Sequence, residues 1–422
     1  MNTKLFENIK DVKEKVLLVV IDERKIGQWT VQQMQEEMQE LVTACEGKVV
    51  ETVVCRLLKP TAGFFIGENK VHEIAEVLHN KNIDTVIFSH DLKGSQQRNV
   101  EEILKIKTID RTQLILDIFA KHATSKEGNL QVELAQLEYL LPRLVGKGVE
   151  LSRLGGGIGT LGPGETKLEV DRRRIGQRIT RLKRNLNDVV ASRATKRKKR
   201  KEKGVPTVTL VGYTNAGKST LLNTLTKAGQ VTKDGLFTTL DSLSRQLVLP
   251  NHQKVIVSDT VGFMHDLPHH LIEAFQATLE EVKEADLLLH VLDVSHPNFR
   301  QLYQSVLDVL KELEVLEKMS VVVLNKIDQL PNKDDLNHLQ EKFEHAVCIS
   351  ALTRDNIDGL LEMISQFFSS MFVEINVDIP IKRMDLINLV HKEGEVYSIK
   401  YYNDHINVRA AVPANIVGKF QQ

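Results

Sequence analysis

Gly212-Tyr213-Thr214-Asn215-Ala216-Gly217-Lys218-Ser219 fits the pattern G-x-x-x-x-G-K-[ST], and its neighbours decide what the pattern means. Val208 to Val211 before it read as a buried strand, and Thr220 to Thr226 after it read as the start of a helix. Strand, glycine loop and helix in that order make a phosphate-binding loop. Glycines let the backbone wrap a phosphate without a Cβ clash, while the loop N–H groups and the helix N-terminus supply positive potential. Lys218 is then expected to reach the β and γ oxygens, and the Ser219 hydroxyl to sit on Mg²⁺. Taken alone, the pattern leaves an ATP site or a misread loop open.

Three later stretches choose the base. Asp259-Thr260-Val261-Gly262 follows the strand-like Lys254 to Ser258 and matches D-x-x-G, which puts a carboxylate near the metal and a glycine amide at the γ-phosphate. Asn325-Lys326-Ile327-Asp328 follows the apolar Val321 to Leu324 and matches N-K-x-D. A carboxylate at Asp328 accepts both N1–H and the exocyclic amine of guanine; adenine offers neither donor there, so such a site discriminates strongly. Ser350-Ala351, after Val347 to Ile349, fits the remaining base-contacting loop. Each short match reads blandly as a turn after a strand. In this order, each at the end of a strand, they imply a GTPase domain over about Val205 to Met371 with a doubly wound sheet.

Between the phosphate loop and Asp259 lies Phe237-Thr238-Thr239-Leu240-Asp241, where a switch segment belongs. One of its threonines is expected on Mg²⁺, and neighbours alone do not say which. Phe263 follows Gly262, where many GTPases carry a glutamine that orients the attacking water. Phenylalanine cannot do that, so backbone, a metal ion or a partner's group must. His265, His269 and His270 stand nearby, and a surface helix start explains them better than catalysis does.

The 422 residues allow two to four domains, and 56 Lys+Arg against 56 Asp+Glu make any nucleic-acid footprint a local matter. The three cysteines, Cys45, Cys55 and Cys348, are too scattered for a zinc set and read as buried small residues. No apolar run approaches a membrane span, and the N-terminus lacks the apolar core of a signal peptide, so a cytoplasmic protein is expected.

Residues 1 to about 125 alternate strands (Val16 to Ile21, Val49 to Leu58, Thr85 to Ser89) with helical spacings, predicting a parallel α/β unit. Its Gly67-Glu68-Asn69-Lys70 reads as a strand-to-helix turn. Residues 126–204 differ. Leu130, Leu134, Leu137, Leu141 and Leu144 form one seam, which Pro142 is expected to kink or to end early; Leu168, Ile175, Ile179, Leu182, Leu186 and Val189 form another. Gly146 to Gly164 between them includes Gly155, Gly156 and Gly157, which predicts an antiparallel helical hairpin with a glycine-rich tip. The second arm carries Arg172, Arg173, Arg174, Arg178 and Arg181, then Lys196 to Lys201. A solvated face explains such a run in isolation. A single-signed run beside an exposed loop and a nucleotide switch points instead to RNA phosphates. Residues 372–422 predict a small α+β unit: strands at Phe372 to Ile379, Val396 to Tyr402 and His405 to Val412 around a helix at Met384 to His391.

With these pieces placed, the chain resembles the HflX family of ribosome-associated GTPases over nearly its whole length. The resemblance rests on Asp110-Arg111-Thr112-Gln113-Leu114-Ile115-Leu116-Asp117-Ile118-Phe119, Leu130-Gln131-Val132-Glu133-Leu134-Ala135-Gln136-Leu137 and Gly155-Gly156-Gly157-Ile158-Gly159-Thr160. It continues through Gly162-Pro163-Gly164-Glu165-Thr166, Asp171-Arg172-Arg173, the phosphate loop, Thr239-Leu240-Asp241 and Asp259-Thr260-Val261-Gly262-Phe263. It implies an N-terminal α/β subdomain with a helical hairpin, a G domain and a small C-terminal domain. It also implies binding to the large ribosomal subunit and its rRNA, stimulation of hydrolysis there, and splitting of stalled ribosomes under stress. By family pattern the switch threonine is Thr239, and K⁺ beside Asn215 is a further possibility. Asn69 departs from the glycine that similar proteins carry before Lys70, which weakens any nucleotide role for the N-terminal turn.

The expected GTP contacts are Gly212, Tyr213, Thr214, Asn215, Ala216, Gly217, Lys218, Ser219, Thr220, Phe237, Thr238, Thr239, Asp259, Thr260, Val261, Gly262, Asn325, Lys326, Asp328, Ser350, Ala351 and Leu352. Lys218, Thr239 and Gly262 form the expected catalytic set, and Ser219, Thr239 and Asp259 (through water) the metal set. Gly155, Gly156, Gly157, Arg172, Arg173, Arg174, Arg178 and Arg181 are the expected RNA contacts, and the protein is read as a monomer. Two rival functions stand beside this one: ATP-dependent RNA remodelling by the N-terminal unit, and regulation of a protein partner held by the hairpin.

Overall fold

In a computed structural model, residues 13–23, 29–144, 163–202, 205–226, 243–265, 276–330, 339–369 and 372–420 are described. The chain divides into two compact units, with the boundary between Asn187 and Asp188.

The first unit begins with β1 (Lys15–Asp22), α1 (Val31–Ala44), β2 (Lys48–Arg56), α2 (Glu68–His79), β3 (Thr85–Phe88), α3 (Gly94–Leu104) and β4 (Lys107–Ile109). Its strands form one parallel sheet in the order β2-β1-β3-β4. Val16 to Ile21 of β1 are all buried, which is why the strand reads as an unbroken apolar run rather than an alternating one. Gly67, at φ 87°, opens α2, and Lys70 in its first turn pairs with Glu73. The turn expected there is present, and its lysine is engaged locally.

α4 (Arg111–His122) and α5 (Lys126–Leu140) follow, and Pro142 lies in the 3₁₀ turn Leu141–Leu144 that ends α5. Asp110 is fully buried and caps α4 through Gln113 N at 2.9 Å. It also accepts from Leu92 N at 3.1 Å, Tyr139 Oη at 2.8 Å and Arg143 Nη2 at 2.9 Å, so four donors satisfy one buried carboxylate.

The long helix α6 (Pro163–Glu202) packs Leu182, Leu186 and Ile179 against Leu130, Leu134 and Leu137 of α5. Two ion pairs flank this seam: Glu133 with Arg178 at 2.7 Å, and Glu138 with Lys183 at 2.7 Å. Glu133 and Arg178 each precede a seam leucine or isoleucine by one position, while Glu138 and Lys183 each follow one. Like flank meeting like flank is the pattern of antiparallel helices, in keeping with the expected hairpin.

In the second unit a six-stranded sheet runs in the order β10-β9-β8-β5-β7-β6. Its strands are β5 (Thr207–Val211), β6 (Ser244–Val248), β7 (Lys254–Asp259), β8 (Leu287–Asp293), β9 (Ser320–Asn325) and β10 (Ala346–Cys348), and only the edge strand β6 pairs antiparallel. α7 (Lys218–Thr226) and α10 (Ile357–Phe368) supply Leu221, Leu222, Leu360, Ile364 and Phe368 to one core with Val208, Leu210 and Val257. α9 (Phe299–Glu312) packs Phe299 and Tyr303 against a second cluster containing Leu292, Val322 and Leu324; α8 (Gln276–Glu284) precedes β8. Each crossover helix covers a parallel sheet that is apolar on both faces, the doubly wound arrangement.

The chain continues into β11 (Phe372–Pro380), α11 (Met384–Glu393), β12 (Glu395–Tyr401) and β13 (His405–Pro413), an antiparallel sheet ordered β11-β13-β12. Ile387 and Val390 of α11 pack on Ile375, Ile379, Ile406 and Val408 of that sheet.

Candidate nucleotide site

Four loops meet at one edge of the six-stranded sheet because β5, β7, β9 and β10 all run parallel and end there. They carry Gly212 to Gly217, Thr260 to Gly262, Lys326 to Asp328, and Ser350 to Leu352, with Asp259 and Asn325 closing their strands. Thr220 lies in the first turn of α7. Phe237, Thr238, Thr239 and Gly155 to Gly157 lie outside the described residues, as do His269 and His270.

Backbone geometry fixes the phosphate loop. Gly217 sits at φ 93°, and a Cβ there would lie 2.3 Å from Asn325 Nδ2. No other residue type fits that turn. Lys218 is buried and donates from Nζ to the Gly212 carbonyl at 3.0 Å and the Tyr213 carbonyl at 2.7 Å. Burial pushes its ammonium pKa down from 10.5 to about 8, against an opposing pull from Asp259. Ser219 Oγ donates to Asp259 Oδ2 at 2.6 Å, so the hydroxyl and carboxylate expected on a metal already share one point. Thr260 Oγ1 donates to the Leu210 carbonyl at 2.7 Å, a tie between strands rather than a ligand contact.

The base end is built by Asn325. Its Nδ2 donates to the Ala216 carbonyl, and its Oδ1 accepts the Ala351 amide, each at 2.9 Å. Lys326, at φ 66°, pairs with Asp293 at 2.7 Å. Asp328 Oδ1 is buried and has no hydrogen-bond partner among the described residues. An acceptor left in that condition is suited to a ligand's donors. Leu352, in the S-A loop, has 72 % of its surface exposed.

Phe263 is 2 % exposed, so its ring is core and does not line the phosphate end. Of the basic residues on α6, Arg172, Arg173, Arg174 and Arg181 are exposed, and Arg174 lies 3.9 Å from Asp171. Arg178 differs: its Nε and Nη2 reach both oxygens of Glu133 at 2.7 and 2.8 Å, which makes it a strut between helices. Sequence reasoning missed that role. The signal was available, since Glu133 flanks the first seam as Arg178 flanks the second.

Phosphate loop, D-x-x-G, N-K-x-D and S-A loops at the carboxyl edge of one doubly wound sheet define a P-loop GTPase. Family models agree along the chain: one described as GTP-binding GTPase N-terminal matches residues 32–120, GTP-binding GTPase Middle Region matches 122–200, and 50S ribosome-binding GTPase matches 207–326. The chain is 43 % identical over 410 residues to the GTPase HflX of Caldanaerobacter subterraneus subsp. tengcongensis, covering 97 % of this chain and 94 % of that one. It is 47 % identical over 337 residues to the GTPase HflX of Alkalihalophilus pseudofirmus, covering 80 % and 79 %. With the Escherichia coli GTPase HflX it shares 40 % identity over 346 residues, covering 82 % and 81 %. The chain belongs to the HflX family of GTPases. Among solved structures it is similar to a GTP-binding protein from Sulfolobus solfataricus in complex with GDP: 27 % identity, TM-score 0.43, 85 % of this chain and 99 % of that one.

Among the described residues no helix is long and apolar enough to cross a membrane, and no three His, Cys, Asp or Glu side chains group as a metal site.

Proposed function

We propose that this GTPase is a monomeric, cytoplasmic factor that binds the large ribosomal subunit and uses the GTP cycle to split or rescue stalled ribosomes. The family supports this reading, as does the family model described as 50S ribosome-binding GTPase. The observation that carries it is the basic surface of α6. Arg172, Arg173, Arg178, Arg181 and Lys183 are all exposed on α6; Arg178 and Lys183 pair across to α5, whereas Arg172, Arg173 and Arg181 make no ion pair among the described residues. One set holds the helices together, and the other is available for RNA phosphates. Residues 126–204, with Gly155, Gly156 and Gly157, are the RNA-facing part in this reading.

At the nucleotide, Lys218 exchanges its two carbonyl acceptors for β and γ oxygens, and Asp328 takes both donors of guanine. The donor set suits Mg²⁺. One hydroxyl and one buried carboxylate, without a wider acidic cluster among the described residues, match a small hard ion that keeps waters and phosphate oxygens. Ser219, Thr239 and Asp259 (through water) would hold it, and bound there it would offset the charge on the phosphates. Gly262 N–H is assigned to the γ-phosphate. Phe263, turned into the core, leaves the attacking water to be oriented by other groups. That fits a slow basal rate raised by an activator; activator-assisted hydrolysis elsewhere gains up to about 10⁵-fold. Loss of the γ-phosphate contacts then releases the factor. K⁺ beside Asn215 belongs to the same proposal, and equal turnover in Na⁺ and K⁺ would remove it.

The proposal is tested by sedimenting the protein with large ribosomal subunits, bound to a non-hydrolysable GTP analogue or to GDP. Co-sedimentation with the analogue that weakens steeply with added salt is expected. Binding with little salt dependence would favour a protein partner instead.

A further inference from the structure

The segment carrying Gly262 is stitched to the phosphate loop. Thr214 N donates to the Phe263 carbonyl at 2.9 Å, and Phe263 N donates to the Gly212 carbonyl at 3.0 Å, a parallel bridge centred on Tyr213 and Phe263. A third bond extends the stitch: His265 N donates to the phenol oxygen of Tyr213 at 3.0 Å. The first two use backbone alone and would form with any side chain at 213. The third depends on the tyrosine hydroxyl. Tyr213, Phe263 and Met264 are all buried, so water competes poorly for it.

The stitch sets the height of Gly262. A Cβ on Gly262 would lie 2.8 Å from Thr214 Cα and 3.1 Å from Lys218 Nζ, so this backbone rides directly over the phosphate-loop lysine. Phe263 has no polar side chain with which to fix the register of the segment. The phenol, reaching two residues past it, does so from the loop side.

We propose that Tyr213 is a positioning residue for GTP hydrolysis: its hydroxyl holds the backbone from Phe263 to His265 in register, and so aims Gly262 N–H at the γ-phosphate. This rests on the GTPase reading of the site. A donor aimed where charge develops acts through its geometry, and a small displacement costs rate. GDP lacks the γ-phosphate, so its binding is insensitive to where Gly262 sits.

The test is Tyr213→Phe, which keeps the ring and removes the oxygen. Single-turnover hydrolysis at saturating GTP is expected to slow roughly two- to tenfold, the range equivalent to one neutral hydrogen bond. GDP affinity stays at the wild-type value, while the melting temperature falls only as far as loss of one hydrogen bond implies. An unchanged or faster rate overturns the proposal. So does a fall in GDP affinity matching the fall in rate, which makes the phenol a brace of the whole site rather than of Gly262. Wild-type protein unable to bind GTP would fail the GTPase reading itself, a result distinguishable from either.

Discussion

Asn325 joins Ala216 to Ala351: one carboxamide donates to the carbonyl of the first and accepts from the amide of the second, both at 2.9 Å. Neither partner touches the other's loop in sequence, yet the phosphate end and the base end of the site share this side chain. Asn325→Ala strands two buried backbone groups, each costing about 1–3 kcal/mol. GDP affinity should fall at least about tenfold, measured by calorimetry, and guanine preference should persist in what binding remains. Wild-type affinity in the variant would show that the two loops hold their places without it.

Asp328 makes a separate prediction. Its buried Oδ1 lacks a partner among the described residues, and Asp328→Asn replaces an acceptor pair by one acceptor and one donor. Affinity for guanine nucleotides should fall by about two orders of magnitude while that for xanthine nucleotides, which offer a carbonyl in place of the amine, rises. Competition binding with the two bases decides it, and unaltered guanine preference removes the assignment.

The loops of the G domain were legible because each is a fixed string of residue types at a strand end, and phosphate and guanine chemistry allow few substitutes. Parallel pairing of β1 and β3 was legible from unbroken apolar runs, and the end of α5 near Pro142 from proline's missing N–H. β4, three residues long, carries too little pattern to stand out. Beyond the cap to Gln113, the donors on Asp110 come from residues 18 to 33 positions away, and no local spacing announces them. The same holds for the phenol of Tyr213 reaching His265 across 52 positions. Composition marked the arginines of α6 alike; what separates Arg178 from Arg181 is its flanking place beside the seam, opposite Glu133, with which it pairs.

That separation is testable. Arg181→Ala should reduce the salt slope of RNA or ribosome binding by about one unit, as expected when one phosphate contact is lost. Arg178→Ala should leave the slope near wild type and lower the melting temperature slightly, with Glu133→Arg/Arg178→Glu restoring it. Equal slopes for the two single variants would place both arginines on the same footing.

Lys218 links the site to pH. Its pKa without nucleotide is about 8, and phosphate oxygens raise it on binding. Below pH 8 the lysine is charged in both states, and affinity is flat on its account. As pH rises past about 8, the free protein loses the proton that the bound state requires, so affinity falls and binding takes up a proton. The same depression makes the nucleotide-free fold gain stability from this group as pH rises between about 8 and 10.5, since there the unfolded chain holds the extra proton. Calorimetry of GDP binding in two buffers of different ionisation enthalpy, at pH 7 and pH 9, should show uptake at the higher pH only. Proton release at pH 9 would contradict this placement of the lysine.

The measurement closest to the central claim is GTP turnover by the purified protein, alone and with purified large ribosomal subunits. The account predicts slow turnover alone, a large stimulation by the subunits, and loss of most of that stimulation when residues 155–164 are deleted. Turnover unaffected by the subunits would contradict it, leaving a GTPase of this family whose activator lies elsewhere.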